Sequence, residues 1–335
     1  MPESEIALGD DWRGASPFLP VSVVIPTYQR ECVLLETIDY LLELQPRPAE
    51  IVVVDQTPRH QPNTHRALAE LESAEKIRWI RLAPPSITHA MNVGLKQANS
   101  EVVLFVDDDI IPDANLIAAH ARAHAGGRNI VAGQVLQPGQ EPLTGDERHG
   151  EFQFFSNRAQ FIAELMGGNF SINRTLALEL GGFDENFVHV AYRFEAEFAA
   201  RALGVGEKIW FEPKAAIRHL RVSSGGTRSY GDHLMTIKPS HSVGAYYYLL
   251  RSKGIPRRLL KILARPVRAI RTRHHLSHPW WIPGTLFAET WGFLWAVALA
   301  VRGPRLIGGR MTDDGGPETS DRRLSSVGGR PSQND

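Results

Sequence analysis

Residues 102–109 read Val-Val-Leu-Phe-Val-Asp-Asp-Asp, five apolar residues followed by three carboxylates. A continuous apolar run of this length is typical of a strand buried on both faces of a parallel sheet. Two similar runs precede it, at residues 21–25 and 51–54. Between these two, residues 34–42 carry leucines and an isoleucine at helical spacing. The alternation predicts an α/β fold with a mostly parallel central sheet.

The composition is that of an ordinary globular protein. Of 335 residues, 43% are hydrophobic and 22% are charged, and Lys plus Arg equal Asp plus Glu at 37 each. This balance argues against wholesale nucleic-acid binding, which shows as a basic excess. The single cysteine, Cys32, excludes an internal disulfide and a multi-thiolate metal site. The polar start has no signal-peptide pattern, so we expect the main domain in the cytoplasm.

Polar residues follow the three apolar runs where the predicted strands end. They are Thr27 and Tyr28, then Asp55, then the carboxylates at 107–109. Because ligands bind at the carboxyl edge of such sheets, we expect one site built from all three groups. Adjacent carboxylates repel one another, and a cation relieves that repulsion. The triplet therefore predicts a Mg²⁺ or Mn²⁺ site shared with substrate phosphates, the alternative being a solvated acidic turn.

The order of several short motifs resembles that of family-2 glycosyltransferases with the GT-A fold. These motifs are residues 23–30, 53–55, 90–94, 105–109 and 181–185, Glu195-x-Glu197 with Arg201, and His219. The resemblance implies a Rossmann-like nucleotide-binding domain. It also implies an inverting, metal-dependent transfer of a hexosyl or deoxyhexosyl group from a nucleoside-diphosphate sugar. The acceptor would be a hydroxyl of a saccharide or a polyprenyl-linked precursor, in cell-surface polysaccharide synthesis.

The resemblance also implies roles for individual residues. The implied donor contacts are Pro26, Thr27, Tyr28, Arg30, Asp55, Asn92, Asp107 and Asp108. The implied ligands of Mn²⁺ or Mg²⁺ are Asp107, Asp109 and His219. In the family, the residue at Asp55 contacts uracil or thymine, which favours UDP or dTDP. Two positions depart from the family pattern: Met91 replaces an arginine, and Gln56 stands where many relatives have a second Asp, which leaves the choice of base open.

An inverting transfer needs a carboxylate that takes the proton of the acceptor hydroxyl. The family pattern is Glu-Asp-x-Asp with an arginine four residues on. Counting back from Arg201, Glu195 occupies the base position, with Glu in place of Asp. Glu197 is the alternative base, and a solvated helix start is the alternative for both. Side chains two residues apart on a helix point in different directions, so we expect only one to reach the acceptor.

Two glycine-containing segments are further candidates. Residues 167–169, Gly-Gly-Asn, resemble the family segment that passes under the donor sugar, and a simple turn is the alternative. Residues 223–228, Ser-Ser-Gly-Gly-Thr-Arg, predict a lid whose Arg228 meets the diphosphate. An ordinary loop is the alternative there.

The C-terminal part changes character. Residues 251–273 contain nine basic residues and no acid, interleaved with apolar residues at helical spacing, and residues 284–301 are apolar except for a few positions such as Glu289. This pattern favours interfacial or re-entrant helices at the inner face of the cell membrane over a spanning helix. A buried helix of the globular body is the alternative. The predicted division is a lead-in at 1–20, a GT-A domain at 21–230, a helical membrane-interface extension at 231–305 and a disordered tail at 306–335.

Two other function classes compete with the transferase. A nucleotidyltransferase also uses a nucleotide and a carboxylate-bound metal, but it usually has a Gly-rich loop after the first strand. Residues 26–30, Pro-Thr-Tyr-Gln-Arg, lack those glycines. A non-catalytic nucleotide-sugar-binding protein would be expected to lose the triplet or the base, and both are present here.

Overall fold

The first half of the chain alternates strands and helices, as the apolar runs predict. The computed structural model describes residues 18–143, 152–252 and 255–308. Its first elements are β1 (Phe18–Thr27), α1 (Cys32–Glu43), β2 (Arg47–Asp55), α2 (Pro62–Ser73), β3 (Arg78–Arg81), α3 (Ile87–Gln97) and β4 (Val102–Val106). β3, β2, β1 and β4 are neighbours in that order and are all parallel. Their carboxyl ends therefore meet at one edge of the sheet.

The second half adds antiparallel strands to this parallel base. Its elements are β5 (Ile110–Pro112), α4 (Leu116–Ala125), β6 (Ile130–Leu136), β7 (Gln160–Ile162), β8 (Asn169–Asn173), α5 (Arg174–Glu179), α6 (Phe194–Gly204) and β9 (Ile209–His219). The sheet continues from β4 through β8, β6 and β9 to β5, and β7 pairs with β9. β8 is antiparallel to β4 and β6, whereas β6 and β9 are parallel. The predicted α/β class is confirmed, with these antiparallel pairings as additions.

The sheet is buried on both faces, which explains its continuous apolar runs. Successive side chains of a strand point to opposite faces. Val24 of β1 packs into one apolar cluster, and its neighbours Val23 and Ile25 pack into the other. Phe105 and Val106 of β4 divide in the same way. The rigid strands therefore hold the residues that follow them in fixed positions.

The C-terminal extension is helical. It consists of α7 (Ser242–Arg251), α8 (Ile255–Ile270), α9 (Arg273–Ser277), a 3₁₀ turn (Pro279–Trp281) and α10 (Ile282–Arg302). The helical segment at 279–302 is long and apolar enough to cross a membrane by length and composition. About a third of its most apolar stretch is buried against the rest of the protein. Glu289 of α10 is buried and faces Arg265 of α8, with Nε–Oε2 at 3.0 Å. Its charge therefore lies inside the helical layer.

The ends of the chain bear on the predicted domain boundaries. The lead-in at 1–17 and the tail at 309–335 lie outside the described residues. Residues 306 and 307, placed by the sequence at the start of the tail, pack against the turn that follows α5. The backbone N–H of Ile307 donates to the carbonyl of Gly181 at 2.7 Å, and that of Arg305 donates to Asp184 at 2.9 Å. The segment after α10 therefore fastens the helical extension to the sheet domain.

Candidate active site

The aspartate triplet lies at the carboxyl edge of the parallel strands, directly after β4. The short strand β5 follows it and pairs antiparallel with the end of β9, so that Ile110 lies opposite His219. This pairing brings the imidazole to the triplet. His219 Nε2 lies 3.0 Å from Asp109 Oδ1 and 3.8 Å from Asp107 Oδ2. The sheet register therefore joins residues that are more than a hundred positions apart in sequence.

Asp107, Asp109 and His219 fit a divalent cation. Each offers one ligand atom, and these atoms lie within 4.8 Å of one another. Carboxylate oxygens suit Mg²⁺ and Mn²⁺, and a neutral imidazole is a good additional ligand for Mn²⁺. The backbone also leaves room, because a Cβ on Gly168 would overlap the carboxylate of Asp107. The three predicted ligands are thus brought together, and their binding of a metal stays a prediction.

The charges of this cluster shift one another. Burial raises the pKa of Asp107, and the charge of His219 only partly opposes that effect. Burial is the largest effect on Asp109 and acts to raise its pKa, but the hydrogen bond and charge of His219, the charge of Arg30 and the N–H of Val222 together outweigh it, so the pKa of Asp109 is lowered. For His219, burial favours the neutral ring, but the two carboxylates outweigh it and raise the pKa. The imidazole thus gives up its proton less readily, and a cation that binds there competes with that proton.

Asp108 and Arg30 brace the triplet. Thr27 donates its hydroxyl to Asp108 Oδ2 at 2.7 Å, and Arg30 Nε lies 3.1 Å from Asp108 Oδ1. Arg30 Nη2 also contacts Asp109 Oδ2 at 3.2 Å. Burial raises the pKa of Asp108 to about 6, against the opposing charge of Arg30. Because both side chains are nearly buried, their first role in the structure is to hold the triplet in place.

A cavity of about 180 Å³ opens beside the triplet. Its lining includes the predicted donor contacts Pro26, Thr27, Tyr28, Arg30, Asp107, Asp108 and Arg228. Pockets for drug-sized ligands usually measure about 300–1,000 Å³. A whole nucleoside-diphosphate sugar would therefore extend beyond this cavity unless a wall of it moved.

The loop at 223–228 forms that wall. The N–H of Gly226 donates to the carbonyl of Tyr28 at 2.7 Å, and Ser229 donates to Gln29 Oε1 at 2.7 Å. Gly225 has φ +78°, and a Cβ there would overlap the carbonyl of Gln29. Arg228 lines the cavity and donates to the carbonyl of Val222. The loop thus lies closed against Tyr28 and Gln29, which follow β1. This is the segment predicted to be a lid.

Asp55 lies at the end of β2 as expected, but its side chain is buried away from the cavity. Its Oδ2 lies 2.8 Å from His60 Nε2 and accepts from Trp79 Nε1 at 2.9 Å. Its Oδ1 accepts from the N–H of Thr57 at 2.8 Å. Contact between this carboxylate and a base stays a prediction. In this structure Asp55 fastens β3 and the segment after β2 to the sheet.

Asn92, another predicted donor contact, also lies outside the cavity lining. Its amide donates to the carbonyl of Phe183 at 2.8 Å and accepts from the N–H of the same residue at 2.8 Å. Asn92 Nδ2 also lies 3.1 Å from Glu185 Oε1. The side chain thus pins the turn after α5 to α3, and donor binding by Asn92 stays a prediction.

The two candidate bases have different surroundings. Glu195 stands over the Gly167-Gly168 pair, where a Cβ on Gly167 would come within 3.0 Å of Glu195 Oε1. Burial raises the pKa of Glu195 to about 7; its own backbone N–H opposes this, and the charge of Asp107 adds to it. Glu197 instead holds Arg201 in a two-pronged ion pair, at 2.8 and 2.9 Å. Arg201 also donates hydrogen bonds to the carbonyls of Leu180 and Gly182. The carboxylate of Glu195 makes no ion pair among the described residues and is available to accept a proton. Glu197 is engaged, through Arg201, in holding the turn at 180–182.

Several lining residues were not predicted from the sequence as site residues. They are Pro85, Ser86, Ile87, His189 and Tyr230, and the sequence indicates Gln56 only as a departure from the family pattern. Gln56 donates to the carbonyl of Thr27 at 3.2 Å and accepts from the N–H of Ser86. Gln56 could have been predicted as a site residue because it directly follows β2, and the residues that follow β1 and β4 also line the cavity. His189 comes from a loop with no such signal.

The comparison with known families agrees with the geometry. The family model described as Glycosyl transferase family 2 matches residues 22–182. Residues 22–182, just under half of the chain, therefore resemble glycosyltransferase family 2. The match begins in β1 and ends at the glycine turn pinned by Asn92, and it includes the triplet.

The individual relatives are distant in sequence. It is 26% identical over 226 residues to a probable glycosyltransferase YdaM of Bacillus subtilis (strain 168), an alignment that covers 61% of the chain and 51% of that protein. The chain thus spans about half the length of this curated relative. Among solved structures it resembles GalNAc-T7 with UDP, GalNAc and Mn²⁺, at 14% identity and TM-score 0.57, covering 84% of this chain and 56% of that one. The mannosyltransferase PcManGT from Pyrobaculum calidifontis, in complex with GDP-Man and Mn²⁺, is 20% identical with TM-score 0.49, over 84% of this chain and 79% of that one. The fold is GT-A.

The close approach of Gly168 to Asp107 gives a prediction for the metal cluster. In Gly168→Ala, the new methyl group displaces the Asp107 carboxylate from the cluster while the backbone keeps its path. We expect kcat/KM for sugar transfer to fall by about 100-fold, since a shift of about 1 Å in a catalytic group has that effect. Gly204→Ala is the matched control, because a Cβ there meets nothing within 4 Å. Equal activity of the two variants would contradict the close approach.

Proposed function

We propose that this chain is an inverting, metal-dependent glycosyltransferase that uses a nucleoside-diphosphate sugar. The observation that carries the proposal is the arrangement around two glycines. Gly168 faces Asp107 of the Asp107–Asp109–His219 cluster, and Gly167 faces Glu195. A cation-binding group and a carboxylate with a raised pKa thus flank one open stretch of backbone. That is the pair of groups that a single-displacement transfer requires.

Asp107, Asp109 and His219 are the residues that would hold the metal. Mn²⁺ or Mg²⁺ bound there would supply positive charge that offsets the charge growing on the leaving diphosphate. Arg228, which lines the same cavity, adds a second positive charge on the loop side. Thr27, Tyr28 and Gln56 line the part of the cavity towards β1 and β2 and would orient the nucleotide. We keep UDP and dTDP as the favoured donors.

Glu195 would act as the general base. As the acceptor hydroxyl oxygen forms its bond to the anomeric carbon, the bond from that carbon to the diphosphate oxygen breaks. The hydroxyl proton passes to Glu195, and the nucleoside diphosphate leaves with the bonding electron pair. Because attack and departure take place on opposite sides of the carbon, the configuration inverts. A carboxyl with a pKa near 7 is well matched to accept a proton at neutral pH.

The acceptor would be a saccharide or a lipid-linked sugar, in cell-surface polysaccharide synthesis at the inner face of the membrane. The C-terminal helices support this setting. Trp280, Phe287, Trp291 and Leu294 are more than half exposed on or next to α10. Aromatic side chains of this kind favour the boundary between lipid and water. We therefore propose peripheral membrane contact through this extension.

Thermal shift measurements test the donor and the metal together. UDP, dTDP and GDP are each added to the full chain with and without Mn²⁺. A donor nucleotide present at 100 times its Kd stabilises by about 2.7 kcal/mol, so we expect a clear rise in melting temperature only when nucleotide and Mn²⁺ are both present. No metal-dependent shift with any nucleotide would refute the proposal. UTP, dTTP and GTP are measured in parallel, and a shift with these triphosphates alone would instead favour nucleotidyl transfer.

A further inference from the structure

A second and larger cavity is lined by the segment before α6 and by the C-terminal helices. It measures about 660 Å³ and we call it the extension groove. One wall is formed by Glu164, Tyr192 and Arg193, the last of which stands two residues before Glu195. The other walls come from the loop at 233–241 and from α7, α8 and α10. The groove thus extends from the segment before α6, the helix that carries Glu195, to the helices of the extension.

The extension groove is strongly cationic. Arg193 faces Glu164 at 4.0 Å, and Arg265 pairs with Glu289, so these two cations are balanced within the lining. Three further cations line the groove: Lys238, Lys261 and Arg268. Their side chains are exposed and make no ion pair among the described residues. The groove therefore has an unbalanced positive charge, which suits an anionic ligand.

Helix α8 is turned opposite to the usual orientation of an amphipathic helix in a globular protein. Such a helix normally buries its apolar face. In α8 the row that lines the groove is Lys261, Arg265 and Arg268, whereas Leu260 and Leu263 are 69% and 74% exposed. Leu259 and Val267 are at least half exposed on the same side. An outward apolar stripe beside a cationic groove matches a ligand with one apolar part and one anionic part.

The two rows are close enough for one molecule to span them. Successive residues of a helix are rotated by about 100°, so Leu260 adjoins Lys261 and Val267 adjoins Arg268 around the helix. The exposed Leu276, at 82%, extends the apolar surface beyond the end of α8. A chain lying on this surface would reach the groove without crossing the body of the protein.

We propose that the extension groove binds the phosphate group of an amphiphilic acceptor, and that the apolar chain of this acceptor lies along the outward stripe of α8. The proposal rests on the proposed function in one respect, since it takes the bound molecule to be the acceptor. The anion is held by Lys238, Lys261 and Arg268. A hydroxyl-bearing group attached to the phosphate then extends past Arg193 towards Glu195.

The test uses the full chain and three soluble probes. Dihexanoyl phosphatidic acid, below its micelle concentration, carries both features; dihexanoylglycerol carries only the chains, and inorganic phosphate only the anion. Binding is measured by calorimetry. We expect phosphatidic acid to bind at least about tenfold more tightly than either of the others, because dihexanoylglycerol lacks the contacts between phosphate and the cations and inorganic phosphate lacks the acyl chains that would lie on the apolar stripe. Equal binding of inorganic phosphate would reduce the groove to a simple anion site and overturn the amphiphile proposal, as would no binding of phosphatidic acid.

Two double variants decide whether the groove is responsible. Lys261→Gln with Arg268→Gln removes two charges from the lining, and Arg271→Gln with Arg273→Gln removes two exposed charges outside it. We expect the first to weaken phosphatidic acid binding at least about tenfold and the second to leave it unchanged. Equal losses would indicate diffuse attraction and overturn the proposal.

The same variants separate this inference from the transferase proposal. The nucleotide and Mn²⁺ thermal shift should be unchanged in both double variants, because neither touches the donor cavity. If wild type shows no such shift but binds phosphatidic acid in the groove, the transferase proposal fails and the amphiphile site stands. If the shift is present and the groove variants bind like wild type, the groove assignment fails alone.

Discussion

Asp109→Asn is expected to abolish sugar transfer and to weaken Mn²⁺ binding by more than about 100-fold. Outer partners of metal ligands already contribute 10- to 100-fold, and Asp109 would be a direct ligand. Asparagine keeps the shape and one oxygen, which can still accept from the N–H of Val222, now at 3.0 Å from Asp109 Oδ2. It removes the charge that faces His219 and Arg30. Mn²⁺ titration followed by electron paramagnetic resonance measures the affinity directly.

Asp113→Asn is the matched control for that variant. Asp113 lies four residues further along the same segment, is exposed, and accepts from the N–H of Asn115. It should retain both activity and Mn²⁺ affinity. A melting curve for Asp109→Asn is needed alongside, because the loss of a buried partner of Arg30 also lowers stability. A folded Asp109→Asn protein with wild-type Mn²⁺ affinity would remove Asp109 from the metal site.

Glu195→Gln is expected to reduce kcat by about 10³-fold and to leave nucleotide and Mn²⁺ binding intact. General bases contribute typically 10²- to 10⁴-fold, and glutamine cannot accept the acceptor proton. Single-turnover kinetics with a transferable donor measures the chemical step, and the thermal shift measures binding. Glu197→Gln is the comparison, since it loosens the Arg201 pair. We expect it to lower the melting temperature while retaining turnover per folded molecule. The reverse result would make Glu197 the base.

The raised pKa of Glu195 gives two pH signatures. As a base, Glu195 works only when ionised, so kcat of the wild type should fall as pH drops through about 7. A cation bound beside Asp107 would move the midpoint lower. The pKa of Glu195 in the folded state, about 7, lies above its ordinary value of 4.5, so the folded state binds this proton more tightly than the unfolded state. The folded state therefore loses stability as the pH rises from about 4.5 to about 7, and above pH 7 the whole loss remains. Glu195→Gln removes this loss and should melt at a higher temperature than the wild type at pH 8.

Much of the parallel half could be predicted because its strands are buried on both faces. The runs at 21–25, 51–54 and 102–106 gave β1, β2 and β4, and a shared carboxyl edge then placed the triplet. The second half depended on long-range pairing. Only the antiparallel β5–β9 ladder brings His219 to Asp109, and nothing local in the sequence specifies that register. His219 was predicted from the resemblance to the family and not from the residue pattern alone.

Side-chain partnerships were harder to predict than strand positions. Asp55 follows its strand as expected, yet its carboxylate is hydrogen-bonded to His60 and Trp79. Arg201 selects Glu197 because the two stand four residues apart on α6. The sequence showed that α8 is amphipathic and basic, but the direction of its apolar face depends on packing against α7 and α10. These choices arise from tertiary contacts that spacing does not encode.

Arg30 joins the aspartate triplet to the segment that follows β9. Its guanidinium binds Asp108 and Asp109 on one side, and the carbonyls of Val222 and Ser224 on the other. A cation at Asp109 would compete with Arg30 for that carboxylate, and opening of the loop would remove the carbonyl of Ser224 from Arg30. Metal binding at Asp109 and the position of the loop would therefore be thermodynamically linked through Arg30. By reciprocity, any nucleotide that opens the loop changes the affinity for the metal by the same factor by which the metal changes the affinity for that nucleotide.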